Sequence, residues 1–129
     1  MLPAIDAEYL QTRGLVHEVR VEGGVTSVLL PNWPLPSGCT LSQATLLIRL
    51  SAGYPDVQPD MWWFTPPVVR ADGRSIPATE ATEHHFGQPW QRWSRHLTAG
   101  QWRTGIDGLE SYLALVRKEL DRGCLEPAV

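Results

Sequence analysis

A chain of 129 residues has room for one domain around one core. Hydrophobic residues make up 43% and charged residues 19%, the balance of a soluble globular protein, and no stretch approaches the ~20 apolar residues of a membrane span. The net charge of −3 lacks the local surplus of lysine and arginine that phosphate binding needs, so neither nucleic acid nor a membrane is an expected partner.

Two cysteines, Cys39 and Cys124, are too few for a secreted disulfide framework, and residues 1–6 carry no basic start or long apolar run. No signal peptide is expected, and a cytoplasmic location is. Eleven prolines imply many fixed turns. Six tryptophans are a high share, and most should fill the core of so small a domain.

Residues 4–13 set Ile5, Tyr9 and Leu10 at helical spacing ahead of Gly14, predicting a short helix with a glycine stop. Leu15, Val19 and Val21 share one parity, as in a half-buried strand. Gly23-Gly24 signals a hairpin, with residues 25–30 as the returning strand. Residues 31–38, with three prolines and a glycine, read as a loop. Residues 41–50 predict a third strand, with Ala44, Leu46, Ile48 and Leu50 on one face, and residues 60–64 a short fourth, closed by Pro66-Pro67.

Residues 68–100 show little periodicity and are expected as a long irregular segment, of the kind that is usually functional. Ile106, Leu109, Leu113, Val116 and Leu120 then form one apolar helix face. Thr104 caps its start with Asp107 in the capping-box position, Arg117, Lys118 and Arg122 suit the negative end of the dipole, and Gly123 offers the stop. The predicted class is α+β, a four-stranded antiparallel meander with helices on one face, as a single domain over residues 1–129.

The turn Tyr54-Pro55-Asp56-Val57-Gln58-Pro59, between the third and fourth strands, resembles the Tyr-Pro-x-x-x-Pro turn of the ubiquitin-conjugating (UBC) and RWD superfamily. In ubiquitin-conjugating enzymes a His-Pro-Asn triplet follows the fourth strand, the nucleophilic cysteine lies ten residues after that histidine, and a tryptophan eight residues after the cysteine precedes a helix. Trp102 precedes the last predicted helix; eight residues before it stands Ser94, and ten before that His84. The chain is similar, more closely, to a divergent bacterial branch encoded beside ubiquitin-like modifiers, activating-like enzymes and JAB-type metallopeptidases. That likeness runs from Leu2-Pro3-x-x-Asp6 through Gly53-Tyr54-Pro55 and Asp60-Met61. It continues through Trp90-Gln91-Arg92-Trp93-Ser94-Arg95-His96 to Trp102-Arg103-x-Gly105-x-Asp107. It departs from the enzymes at three places: Ser94 replaces the cysteine, His85 the proline and Phe86 the asparagine.

The resemblance implies a UBC-like fold and an acyltransferase that receives a ubiquitin-like modifier from a ubiquitin-activating-like enzyme. It then hands the modifier to the acceptor lysine of a protein substrate. ATP is used by the activating partner, so no cofactor or metal is expected here. A serine hydroxyl is a far weaker nucleophile than a thiolate and needs a base within reach. His96, two residues on, lies on the same side of an extended chain as Ser94 and is the candidate base. His84 approaches from the preceding segment, and Arg95 offsets charge on the tetrahedral intermediate. Trp90, Trp93, His85 and Tyr54 are the candidate binding residues around this site. The expected intermediate is an oxyester on Ser94. The alternatives are an inactive modifier-binding subunit and an RWD-like interaction domain. The gene neighbourhoods of the branch suggest defence against phage.

Overall fold

A computed structural model describes residues 2–98 and 100–124. In chain order the elements are α1 (Ala4–Thr12), β1 (Glu18–Glu22), β2 (Val25–Pro34), β3 (Gln43–Leu50), β4 (Trp62–Thr65), β5 (Thr82–His85), β6 (Gln88–Trp93) and α2 (Leu109–Cys124). The strands form one antiparallel sheet in the order β1-β2-β3-β4-β6-β5. No helix among the described residues is long and apolar enough to cross a membrane.

The meander forms as its alternation predicts. Gly23 and Gly24 both take positive φ, which closes a two-residue turn with Glu22 opposite Val25. Val28, Leu30, Leu46, Ile48, Leu50, Trp62, Phe64 and Trp93 face one side, where Leu10 of α1 and Leu109, Leu113, Val116 and Leu120 of α2 cover them. The alternate residues Leu29, Leu47, Trp63 and Trp90 build a smaller cluster on the other face. Arg49 lies over the Trp63 ring and Arg20 over Phe86, so cations roof this second cluster in place of a helix.

Five expectations need correction. The sheet has six strands, because residues 82–93 form the hairpin β5–β6 inside the segment expected to be irregular. Thr82-Glu83-His84-His85 and Gln88-Pro89-Trp90 carry no alternation of apolar and polar residues, so period-2 reading passes over them. β2 extends through Pro31 to Pro34 by way of a bulge between Leu30 and Trp33, which leaves Pro31 where the ladder is interrupted, while Pro34 ends the strand opposite Gln43. β1 is an edge strand exposed at all five positions, not half-buried. Val21→Lys is therefore expected to change stability by less than about 0.5 kcal/mol in urea denaturation, although Val21 has the parity of a core position.

The start of α2 is the fourth. The helix begins at Leu109, and Ile106 is 68% exposed. Asp107 does not complete a capping box; its carboxylate accepts the Arg103 N–H at 2.6 Å and closes a turn ahead of the helix. The cap comes from α1. Asp6, 3% exposed, accepts the Leu109 N–H on Oδ1 at 3.0 Å and the Tyr54 hydroxyl on Oδ2 at 2.7 Å. Gly108 makes room, since a Cβ there would stand 2.8 Å from Asp6 Oδ1. Gly123 does not end the helix, which runs on to Cys124. It sits where a Cβ would come within 3.1 Å of Ile76 and 3.3 Å of Trp93.

Candidate functional site

The end of β6 sorts its residues by parity. Trp93 is buried in the main core, its indole N–H donating to Gln91 Oε1 at 2.9 Å. Arg92 and Ser94 therefore share the opposite side. Ser94 is half-buried, and its backbone N–H donates to the Ala78 carbonyl at 3.0 Å. Its Oγ accepts the Arg92 Nε–H at 3.2 Å, while Arg92 Nη1 donates to Glu83 Oε2 at 2.8 Å. The other oxygen of Glu83 accepts the Trp63 indole N–H at 3.0 Å and His85 Nε2 at 3.1 Å. Burial pushes the Glu83 carboxyl up, but the hydrogen bonds from Arg92, His85 and Trp63 outweigh it and hold the group below the usual glutamate range. An ionised carboxylate thus anchors the guanidinium that holds the serine oxygen.

A second pair stands at the start of β4. His96 Nδ1 and Asp60 Oδ1 are 2.5 Å apart, with the side chains 61% and 55% exposed. The residue after Asp60, Met61, has a φ of 60°, unusual for a side chain other than Gly, Asn or Asp. Its N–H donates to the Arg95 carbonyl at 3.1 Å, and its carbonyl accepts the Tyr112 hydroxyl at 2.9 Å. A backbone bond therefore joins the neighbour of Asp60 to the neighbour of His96, and the Tyr112 hydroxyl ties Met61 to α2. Asp60, Met61, Trp63 and Glu83 also line a groove of about 450 Å³ on this side of the sheet.

The residues singled out from sequence divide accordingly. Ser94 and His96 lie near each other in the chain at the surface, but the Nδ1 bond of His96 goes to Asp60. Arg95 has other partners than the hydroxyl: its Nε donates to Glu119 at 2.8 Å, its Nη1 to the Pro77 carbonyl at 3.0 Å and to the Ser94 carbonyl at 3.3 Å, and its guanidinium lies over Trp93. The cation at the serine is Arg92. His84 alternates with Glu83 and His85 along β5 and faces away from the network that reaches Ser94. His85 is held by Glu83 against the edge of Trp63. Trp90 and Trp93 are 1% and 0% exposed, so they pack the two cores and present no binding surface. Tyr54 is bonded to Asp6 and packs on Trp102, whose indole N–H donates to the Pro55 carbonyl at 2.8 Å. Burial, then the bond to Asp6, pushes the Tyr54 phenol far up, as suits a structural hydroxyl.

Arg92, Glu83 and Asp60 were not legible as site residues. The first two required β5 and β6 to be seen as strands; the third is brought to His96 only by the fold. Neither cysteine offers a thiolate. Cys39 and Cys124 are buried with their sulfurs 2.7 Å apart, and burial, aided by the neighbouring thiol, pushes Cys124 up to about 12. Cys39 is raised as well, chiefly by burial. Thiols in this setting are inert.

A family model described as prokaryotic E2 family E matches residues 2–123. No curated protein and no solved structure matches the chain.

Proposed function

This chain belongs to prokaryotic E2 family E, and we propose that it accepts a ubiquitin-like modifier from an activating enzyme as an oxyester on Ser94 and passes it to a target amine. The observation that carries this reading is the contrast between the hydroxyl and the thiols. Ser94 is half-buried with its Oγ held by a guanidinium, whereas both sulfurs belong to buried residues and are held protonated.

In acylation the Ser94 oxygen attacks the modifier's C-terminal carbonyl carbon, the C–Oγ bond forms, and the bond from that carbon to the activating enzyme's leaving group breaks. The hydroxyl proton passes to His96 and on to the leaving group of the activating enzyme. The Arg92 N–H favours charge on Oγ as it attacks and again as it leaves. A second reading, a modifier-binding subunit without catalysis, is favoured by one observation: the bonded partner of the Ser94 oxygen is a guanidinium, which cannot take its proton.

Trapping separates the two. The protein is incubated with modifier, activating enzyme and ATP. The expected product is a covalent adduct that survives thiol reductants and is cleaved by hydroxide. Ser94→Ala is expected to abolish it, and Ser94→Cys to give an adduct that thiols release. Persistence of the adduct in Ser94→Ala, or no adduct on the unaltered protein, would overturn the proposal.

A further inference from the structure

We infer that Asp60 is a positioning residue that fixes His96 with its Nε2 free, and that this imidazole is the base for the incoming amine. The inference rests on the reading of Ser94 as the modifier's attachment point and deepens it.

An ionised carboxylate only accepts hydrogen bonds, so the atom of His96 that faces Asp60 Oδ1 must carry the proton. With Nδ1 protonated, the neutral ring keeps its lone pair on Nε2, the state a general base requires. A hydrogen-bonded pair more than half exposed on both sides contributes little to stability, yet the backbone beneath it is built with care. Met61 adopts a left-handed conformation that a methionine rarely takes, and two hydrogen bonds hold it there. Strain maintained under an exposed Asp–His pair points to a use for the pair's geometry. The pair also stands farther out than Ser94, and Asp60 lies on the rim of the groove. This is the side from which a lysine on a folded protein would reach the ester.

The proton then has a complete path. The amine nitrogen attacks the ester carbonyl carbon, forming the C–N bond, and gives a proton to His96 Nε2. The tetrahedral intermediate collapses, the C–Oγ bond breaks, and Oγ takes that proton from the imidazolium. Serine and neutral histidine are regenerated and an amide is left.

The need for a base depends on the nucleophile. A lysine amine, with a pKa near ~10.4, is almost wholly protonated at neutral pH; hydroxylamine is already the free base. Protein loaded with modifier is therefore separated from the activating enzyme and discharged in single turnover to each. Because His96 also serves in acylation, the variants are loaded to completion before separation. Asp60→Asn and His96→Gln are then expected to slow discharge to lysine by ~100-fold, to slow discharge to hydroxylamine by a clearly smaller factor, since only the return of the proton to Oγ is affected there, and Asp60→Glu to recover part of the loss. Nitrogen-15 NMR should place the His96 proton on Nδ1 in the unaltered protein and lose that preference in Asp60→Asn. Equal slowing with both nucleophiles, or lysine discharge untouched in either variant, would overturn the assignment while leaving the ester on Ser94 intact. If the unaltered protein never loads, the Ser94 reading falls and this inference with it.

Discussion

Asp6→Ala is expected to lower the stability of the domain by about 3 kcal/mol, a fall in melting temperature of about 10 °C. One carboxylate does two structural tasks here. It supplies the cap of α2, a role typically worth about 1 kcal/mol, and it accepts the phenol of Tyr54. Without it, that half-buried hydroxyl loses its acceptor, at a further cost of about 1–3 kcal/mol. Asp6→Asn keeps an acceptor for one donor but not both, so about half the loss is expected. Gly108→Ala tests the same contact from the other side, because its Cβ would be driven against Asp6 Oδ1. Urea titration followed by tryptophan fluorescence reads all three. A loss below about 1 kcal/mol in Asp6→Ala would mean that packing of α2, not this cap, sets where the helix begins.

Much of this was legible in the residues. The alternation of residues 44–50 and the 3-4 spacing of residues 109–120 are strong periodic signals, and they place the core correctly. The Tyr-Pro turn and the register from Ser94 to Trp102 led to the family that the comparison supports. What sequence could not reveal depends on contacts distant in the chain. The cap of α2 comes from a residue 103 positions away, so local capping rules chose Thr104 and Asp107 instead. The β5–β6 hairpin is stabilised by side-chain bonds around Glu83 rather than by an apolar stripe. Without that hairpin nothing sets Arg92 beside Ser94, and Arg95, adjacent to Ser94 in the chain, is the cation that sequence alone offers.

Arg92→Ala is expected to slow formation of the Ser94 adduct by about 100-fold while changing stability by no more than about 1 kcal/mol. The kinetic effect is large because the lost N–H acts on an oxygen whose charge grows during the reaction. The stability effect is small because the Arg92–Glu83 pair is about one-third exposed on each side. Arg92→Lys keeps a positive charge but cannot donate to Ser94 and Glu83 through one rigid planar group, so only a minor part of the rate should return. Adduct formation at the normal rate in Arg92→Ala would reduce the arginine to a spacer between β5 and β6. The measurement is a time course of adduct formation under limiting activating enzyme, alongside a melt of the same sample.

The two sides of β6 have separate fates under mutation. Gln91 and Trp93 are built into the interior, whereas the hydroxyl at 94 can vanish without disturbing anything that keeps the chain folded. A single substitution at 94 would thus remove the proposed chemistry and leave the fold intact for recognition alone. Melting curves would look the same before and after such a change; only the chemistry would tell the two proteins apart.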